Sequence, residues 1–120
     1  MAKLLIQITS GPNDPNKAIL GFLIAKTAIE SDHDVNLFLL GDAVYLSEES
    51  IIETLNSLGT GSLKEHYNDI INKGFIINLS SMSCDGRGIT DDKILNRPFK
   101  KCFPKDFLEL SLNADKILSF

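Results

Sequence analysis

Cys84, Asp85 and Arg87 stand together with Gly86 and Gly88, a few residues after the apolar run Phe75-Ile76-Ile77-Asn78-Leu79. A cysteine does covalent chemistry as its thiolate, and a nearby cation lowers the thiol's pKa. Arg87 is placed to supply that charge. Gly86 and Gly88 allow a tight turn that brings backbone amides close to an anion. Asp85 works against the thiolate, because a neighbouring carboxylate disfavours it. Cys84 is therefore the candidate nucleophile. Ser83, Asp85, Gly86, Arg87 and Gly88 are its candidate binding surroundings. The same residues also fit a small buried cysteine beside a structural Asp-Gly turn, with Asp85 as a cap and Arg87 paired to a carboxylate.

Other candidates stand at comparable places. The stretch from Ser10 to Asn16 follows an apolar run and precedes a helical pattern, which makes Ser10, Gly11 and Asn13 candidates for a pocket wall. It carries neither G-x-G-x-x-G nor a P-loop, so it is not a phosphate-binding motif. Asp42 follows the second apolar run and serves either as a binding residue or as a turn cap. Cys102 is a second thiol that could resolve a disulfide or persulfide on Cys84; as a packed hydrophobe it needs no such role. His33 reads as a solvated cation at a helix end, and His66 as a residue at the edge of an amphipathic face.

The elements that must position these residues follow from the apolar pattern. Leu4–Thr9, Val35–Leu40 and Phe75–Ser80 are near-continuous apolar runs and read as buried parallel strands. Lys116–Phe120 reads as a last short strand. Asp14 followed by Pro15 looks like an N-cap with proline at the first helical position, opening a helix to about Ser31. Its apolar stripe is wide enough to touch a sheet and a second element. A second helix starts near Ser47 and carries Ile51, Ile52, Leu55 and Leu58. Ser62 caps a third, with Glu65 completing a capping box, and Gly74 closes it. Residues 89–102 read as irregular, with a short helix around Asp92–Leu95, and Pro104 opens a final helix. Alternating strands and helices predict one α/β domain: three layers, with a mostly parallel sheet of four or five strands. In such sheets ligands bind outside the carboxyl ends of the strands. The loops after the first three strands should then share one edge.

Composition narrows the partners. The chain has 120 residues, a net charge of -4 and 43% hydrophobic residues. The acidic balance argues against nucleic acid, whose binding rests on basic patches, and against an anionic membrane surface. No apolar run approaches the ~20 residues that span a bilayer. The N-terminus reads as a strand rather than a signal peptide, which predicts a cytoplasmic protein with two reduced cysteines. The scattered His and Cys positions make no metal framework, and no cofactor is expected. Apolar residues at Phe99, Phe103 and Phe107, beyond what one core needs, predict a homo-oligomer.

The turn Cys84-Asp85-Gly86-Arg87-Gly88-Ile89 resembles the cysteine loop of the DsrE/DsrF-like family of small sulfur-relay proteins. The segment Leu37–Val44 is similar to that family's second strand and following loop, and Leu110–Phe120 to its last helix and strand. The resemblance implies a small α/β fold on a parallel sheet, assembled as homotrimers or homohexamers. For some members it implies sulfur carried as a persulfide on a loop cysteine and exchanged with a sulfur donor or acceptor protein. In the family pattern the cysteine stands two residues before the Asp-Gly. That position is Ser83 here, and the thiol has moved to Cys84. A sulfur carrier on Cys84 and a non-catalytic oligomeric module binding a small anion or nucleotide are the two functions that follow.

Overall fold

The computed structural model describes all 120 residues. Five strands, β1 (Lys3–Ile8), β2 (Asp34–Leu39), β3 (Ile77–Ser80), β4 (Phe99–Cys102) and β5 (Lys116–Ser119), form one sheet in the order β4-β3-β2-β1-β5. Every neighbouring pair is parallel. All carboxyl ends therefore share one edge, as the strand-helix alternation predicts.

Six α-helices connect the strands: α1 (Pro15–Glu30), α2 (Glu49–Thr54), α3 (Leu63–Asn72), α4 (Ser81–Gly86), α5 (Asp91–Ile94) and α6 (Pro104–Asn113). Gly41–Ser47 forms a 3-10 segment after β2. The Asp14 side chain caps α1, accepting from Lys17 N–H at 3.3 Å. Ser62 caps α3 through Glu65 N–H, and Gly74 ends it with a φ of +85°. The Asp14 and Ser62 side chains satisfy amides that the first turn of a helix leaves unpaired.

Alternate residues of each strand feed two clusters, because the side-chain period of a strand is two. Ile6, Ile8, Leu37, Leu39, Ile77 and Leu79 pack with the first face of α1 and α3 into a core of 23 buried residues. Phe22 lies fully inside it. The wide stripe of α1 meets β1, β2 and α3, which accounts for its width. On the other side of the sheet Leu5, Phe38 and Cys102 form a small cluster under Phe107, Leu110 and Ala114. No helix is long and apolar enough to cross a membrane.

Three segments differ from the sequence reading. The third strand begins at Ile77; Phe75 and Ile76 lie outside it, and Ile76 is exposed. β4 lies inside the stretch read as irregular, because Lys100 and Lys101 interrupt its apolar pattern. The helix carrying Ile51 and Ile52 ends at Thr54. Beyond it the chain folds back, Asn56 bridges Ser62, and Leu58 is exposed rather than on a buried face.

Candidate functional site

The loops after β1, β2 and β3 meet at the carboxyl edge, as parallel strands require. Gly41 leaves β2 with a φ of +58°, a left-handed conformation that glycine adopts without a Cβ penalty. Its N–H donates to Ser83 Oγ at 2.9 Å, tying the second loop to the third. The Arg87 guanidinium donates from Nε to Asp42 Oδ1 at 3.0 Å, with Nη2 equally close. Its Nη1 donates to the Ser83 carbonyl at 3.2 Å. Gly11 brings in the first loop. A Cβ built there would lie 2.5 Å from the Asp42 carbonyl oxygen, so only glycine permits the contact.

The stretch read as a cysteine turn is a helix for most of its length. Ser80 caps α4, its hydroxyl accepting from Ser83 N–H at 3.3 Å. Successive residues on a helix point about 100° apart. Ser83 consequently faces Gly41, and the neighbouring Cys84 turns away from the edge. Cys84 is 0% exposed and belongs to the main core with Ile77, Leu79 and Ile89. Burial pushes its thiol above the ordinary value, and Asp85 adds to the rise. Lys101 and Arg87 pull the other way and are outweighed. Cys84 thus occupies the place of the small buried cysteine, the second of the two readings of this stretch.

The remaining candidates divide. Arg87, Asp42, Ser83 and Gly11 are joined. Asn13 lies exposed and Ser10 half-buried on the first loop, with no side-chain bond to the four joined residues. Asp85, Gly86 and Gly88 sit at the far end of α4. Asp85 points toward Lys101, 3.8 Å from its Nζ, and the two glycines face solvent. Lys101 also bonds Asp91 at 2.9 Å and the Ile89 carbonyl at 2.8 Å, pinning the segment after α4 to β4. Asp91 raises the pKa of that lysine by hydrogen bonding.

Cys102 belongs to the cluster on the opposite face of the sheet from Cys84. The sheet separates the two thiols, so Cys102 cannot resolve a disulfide on Cys84 without unfolding the strands. His33 is tied to the start of the chain, its Nδ1 accepting from Ala2 N–H at 3.0 Å. His66 is buried, with Nε2 2.6 Å from the Thr60 carbonyl oxygen. Two positioning residues escaped the sequence reading. Gly41 was visible only as the end of a strand. Lys101 was hidden with the strand that carries it.

The joined residues Gly11, Asp42, Ser83 and Arg87 line none of the hollows of the molecule. The largest, about 420 Å³, is lined by charged side chains including Glu48, Glu49, Lys93 and Arg97. A smaller one, about 150 Å³ and mostly apolar, opens beside Ser80 and Cys102.

Comparison with known proteins adds the following. The model of the DsrE/DsrF-like family matches residues 2–120. The crystal structure of the ychN protein from E. coli covers the whole of both chains at 23% identity, with a TM-score of 0.81. The structure of a conserved protein of unknown function, BT1422 from Bacteroides thetaiotaomicron, covers 99% of this chain and 95% of its own at 20% identity, with a TM-score of 0.67. A search among curated proteins returns no match.

Proposed function

This chain belongs to the DsrE/DsrF-like family, and from that premise we propose that it is a non-catalytic, self-associating module that binds a small anion or nucleotide at the carboxyl edge of its sheet. The observation that carries this reading is the inward turn of Cys84 beside an outward platform of Ser83, Arg87, Asp42 and Gly11. An incoming anion replaces the Asp42 carboxylate at the Arg87 guanidinium, and the half-buried Ser10 and exposed Asn13 side chains offer further donors. Because these residues line no hollow in one chain, a second copy supplies the facing wall. Ligand sites favour such boundaries.

Self-association runs through the outer side of α6. Phe107, Leu110 and Ala114 face the sheet, whereas Leu108 and Leu112 face solvent one helical turn apart. An assembly of a few copies covers them.

The rival reading is a sulfur carrier with a persulfide on Cys84 and a protein donor or acceptor. Family membership favours it. The buried thiol and its raised pKa oppose it, since persulfide formation needs an accessible thiolate.

Titration of 15N-labelled native protein with phosphate and with a nucleoside monophosphate tests the proposal. Shifts confined to Ser10–Asn13, Gly41, Asp42, Ser83 and Arg87 are expected. They vanish in Arg87→Ala and persist in Cys84→Ala. Shifts that ignore Arg87→Ala, or no shifts at millimolar ligand, overturn it.

A further inference from the structure

The hollow beside Ser80 lies between the carboxyl ends of β2 and β4 and the first turn of α6. We propose that it is a binding subsite for a small neutral apolar molecule, a single ring or a branched aliphatic of similar size. This inference does not rest on the anion platform.

Volume sets the size. About 150 Å³ is the scale at which an apolar cavity in another protein holds benzene or xenon. Lining sets the chemistry. Phe38 and Phe107 meet edge to face with centroids 5.1 Å apart and form one wall. Leu40 closes the side, and Phe103 stands at the mouth, 64% exposed. No charged side chain lines the hollow. Its one hydroxyl, Ser80, already accepts the Ser83 N–H as the α4 cap. A water inside therefore finds few partners and leaves readily, whereas a neutral ring buries the exposed face of Phe103. An anion entering loses its hydration with no cation to replace it.

The position of the hollow also argues for a small molecule rather than a protein side chain. Its lining runs from the exposed Phe103 to Cys102, which is almost fully buried. The Cys102 thiol is held only weakly, with Asn78 Oδ1 at 3.6 Å and the Lys100 carbonyl oxygen at 3.8 Å. Burial also pushes this thiol above its ordinary value. It borders a second, polar hollow with Asn78, Lys100 and Asp106, so its slow reaction reports on the apolar hollow only through its protection by a ligand that sits there.

Methyl methanethiosulfonate is the probe. The Cys102 thiolate attacks its sulfenyl sulfur, the S–SO₂ bond breaks, methanesulfinate leaves, and the thiol proton passes to buffer. The native full-length protein is treated with this neutral reagent. Benzene should slow the neutral reagent along a saturable curve, and Phe103→Ala should abolish that protection. In Cys102→Ser, benzene should still shift the Leu40 and Phe107 resonances, which keeps the test independent of the thiol. No protection by benzene, or protection that survives Phe103→Ala, overturns the proposal. So does protection that appears on raising protein concentration alone, which assigns the hollow to an interface between copies.

Discussion

The two faces of the sheet are built from alternate residues of the same strands, yet they are finished differently. One face carries Ile6, Ile8, Leu37, Leu39, Ile77 and Leu79 under α1 and α3, and it is sealed. The other begins with Leu5 and Phe38 but continues with Asn36, Asn78 and Lys100, under a single helix with no fully buried residue. Parallel sheets are normally covered on both sides. The sealed face holds the fold and, in Cys84, the thiol of the cysteine turn. The open face and the carboxyl edge between them carry the accessible chemistry.

Truncation on each face breaks or sharpens that contrast most strongly. Phe22→Ala empties a fully buried site and should cost about 3–5 kcal/mol in urea unfolding. Phe107→Ala on the half-buried face should cost about 2 kcal/mol, including its edge-to-face contact with Phe38. Equal costs would mean that the two faces bear load alike.

Within α4 the same contrast is tested one residue at a time. Cys84→Ser places a hydroxyl in the apolar core and should destabilise by about 1–3 kcal/mol. Ser83→Ala removes the acceptor of Gly41 N–H and should cost about 1 kcal/mol, with a larger effect on ligand binding than on unfolding. A reversed order would place Ser83, not Cys84, in the load-bearing position.

Alkali gives a smaller signal. The folded-state pKa of Cys84 lies above its ordinary value of 9.0, so the native thiol keeps its proton where the unfolded one has lost it. Its contribution is complete below that pH and falls away above it. Cys84→Ala should flatten the decline of stability on the alkaline side relative to the unsubstituted chain. Parallel declines would mean that the thiol is not desolvated.

The smallest effect on folding belongs to the outer side of α6. The double substitution Leu108→Ser with Leu112→Ser should leave unfolding within about 0.5 kcal/mol and shift sedimentation toward the 13.2 kDa monomer. Unchanged sedimentation would remove α6 from the assembly surface.

Much of the fold was legible because the buried strands are apolar on both sides of the alternation, as at Leu37–Phe38–Leu39. β4 was not, because an edge strand carries lysines in sequence, and only pairing with β3 reveals it. The convergence of the three loops followed from parallel strands alone. The direction of Cys84 did not. A run of small residues and Gly after a strand reads as a turn, whereas Ser80 caps a helix that separates Ser83 from Cys84 by a third of a turn. The open hollow beside α6 arises from residues far apart in sequence, Leu40, Ser80 and Phe107, and no local pattern announces it.

The central claim is that the carboxyl-edge chemistry of this chain runs without the Cys84 thiol. The most direct test is to incubate the native protein with an inorganic polysulfide and locate any added sulfur by peptide mass spectrometry. The account expects no sulfur on Cys84 in the folded chain and uptake there once the chain is unfolded in urea. A sulfur atom on Cys84 of the folded protein, lost in Cys84→Ser, would contradict it.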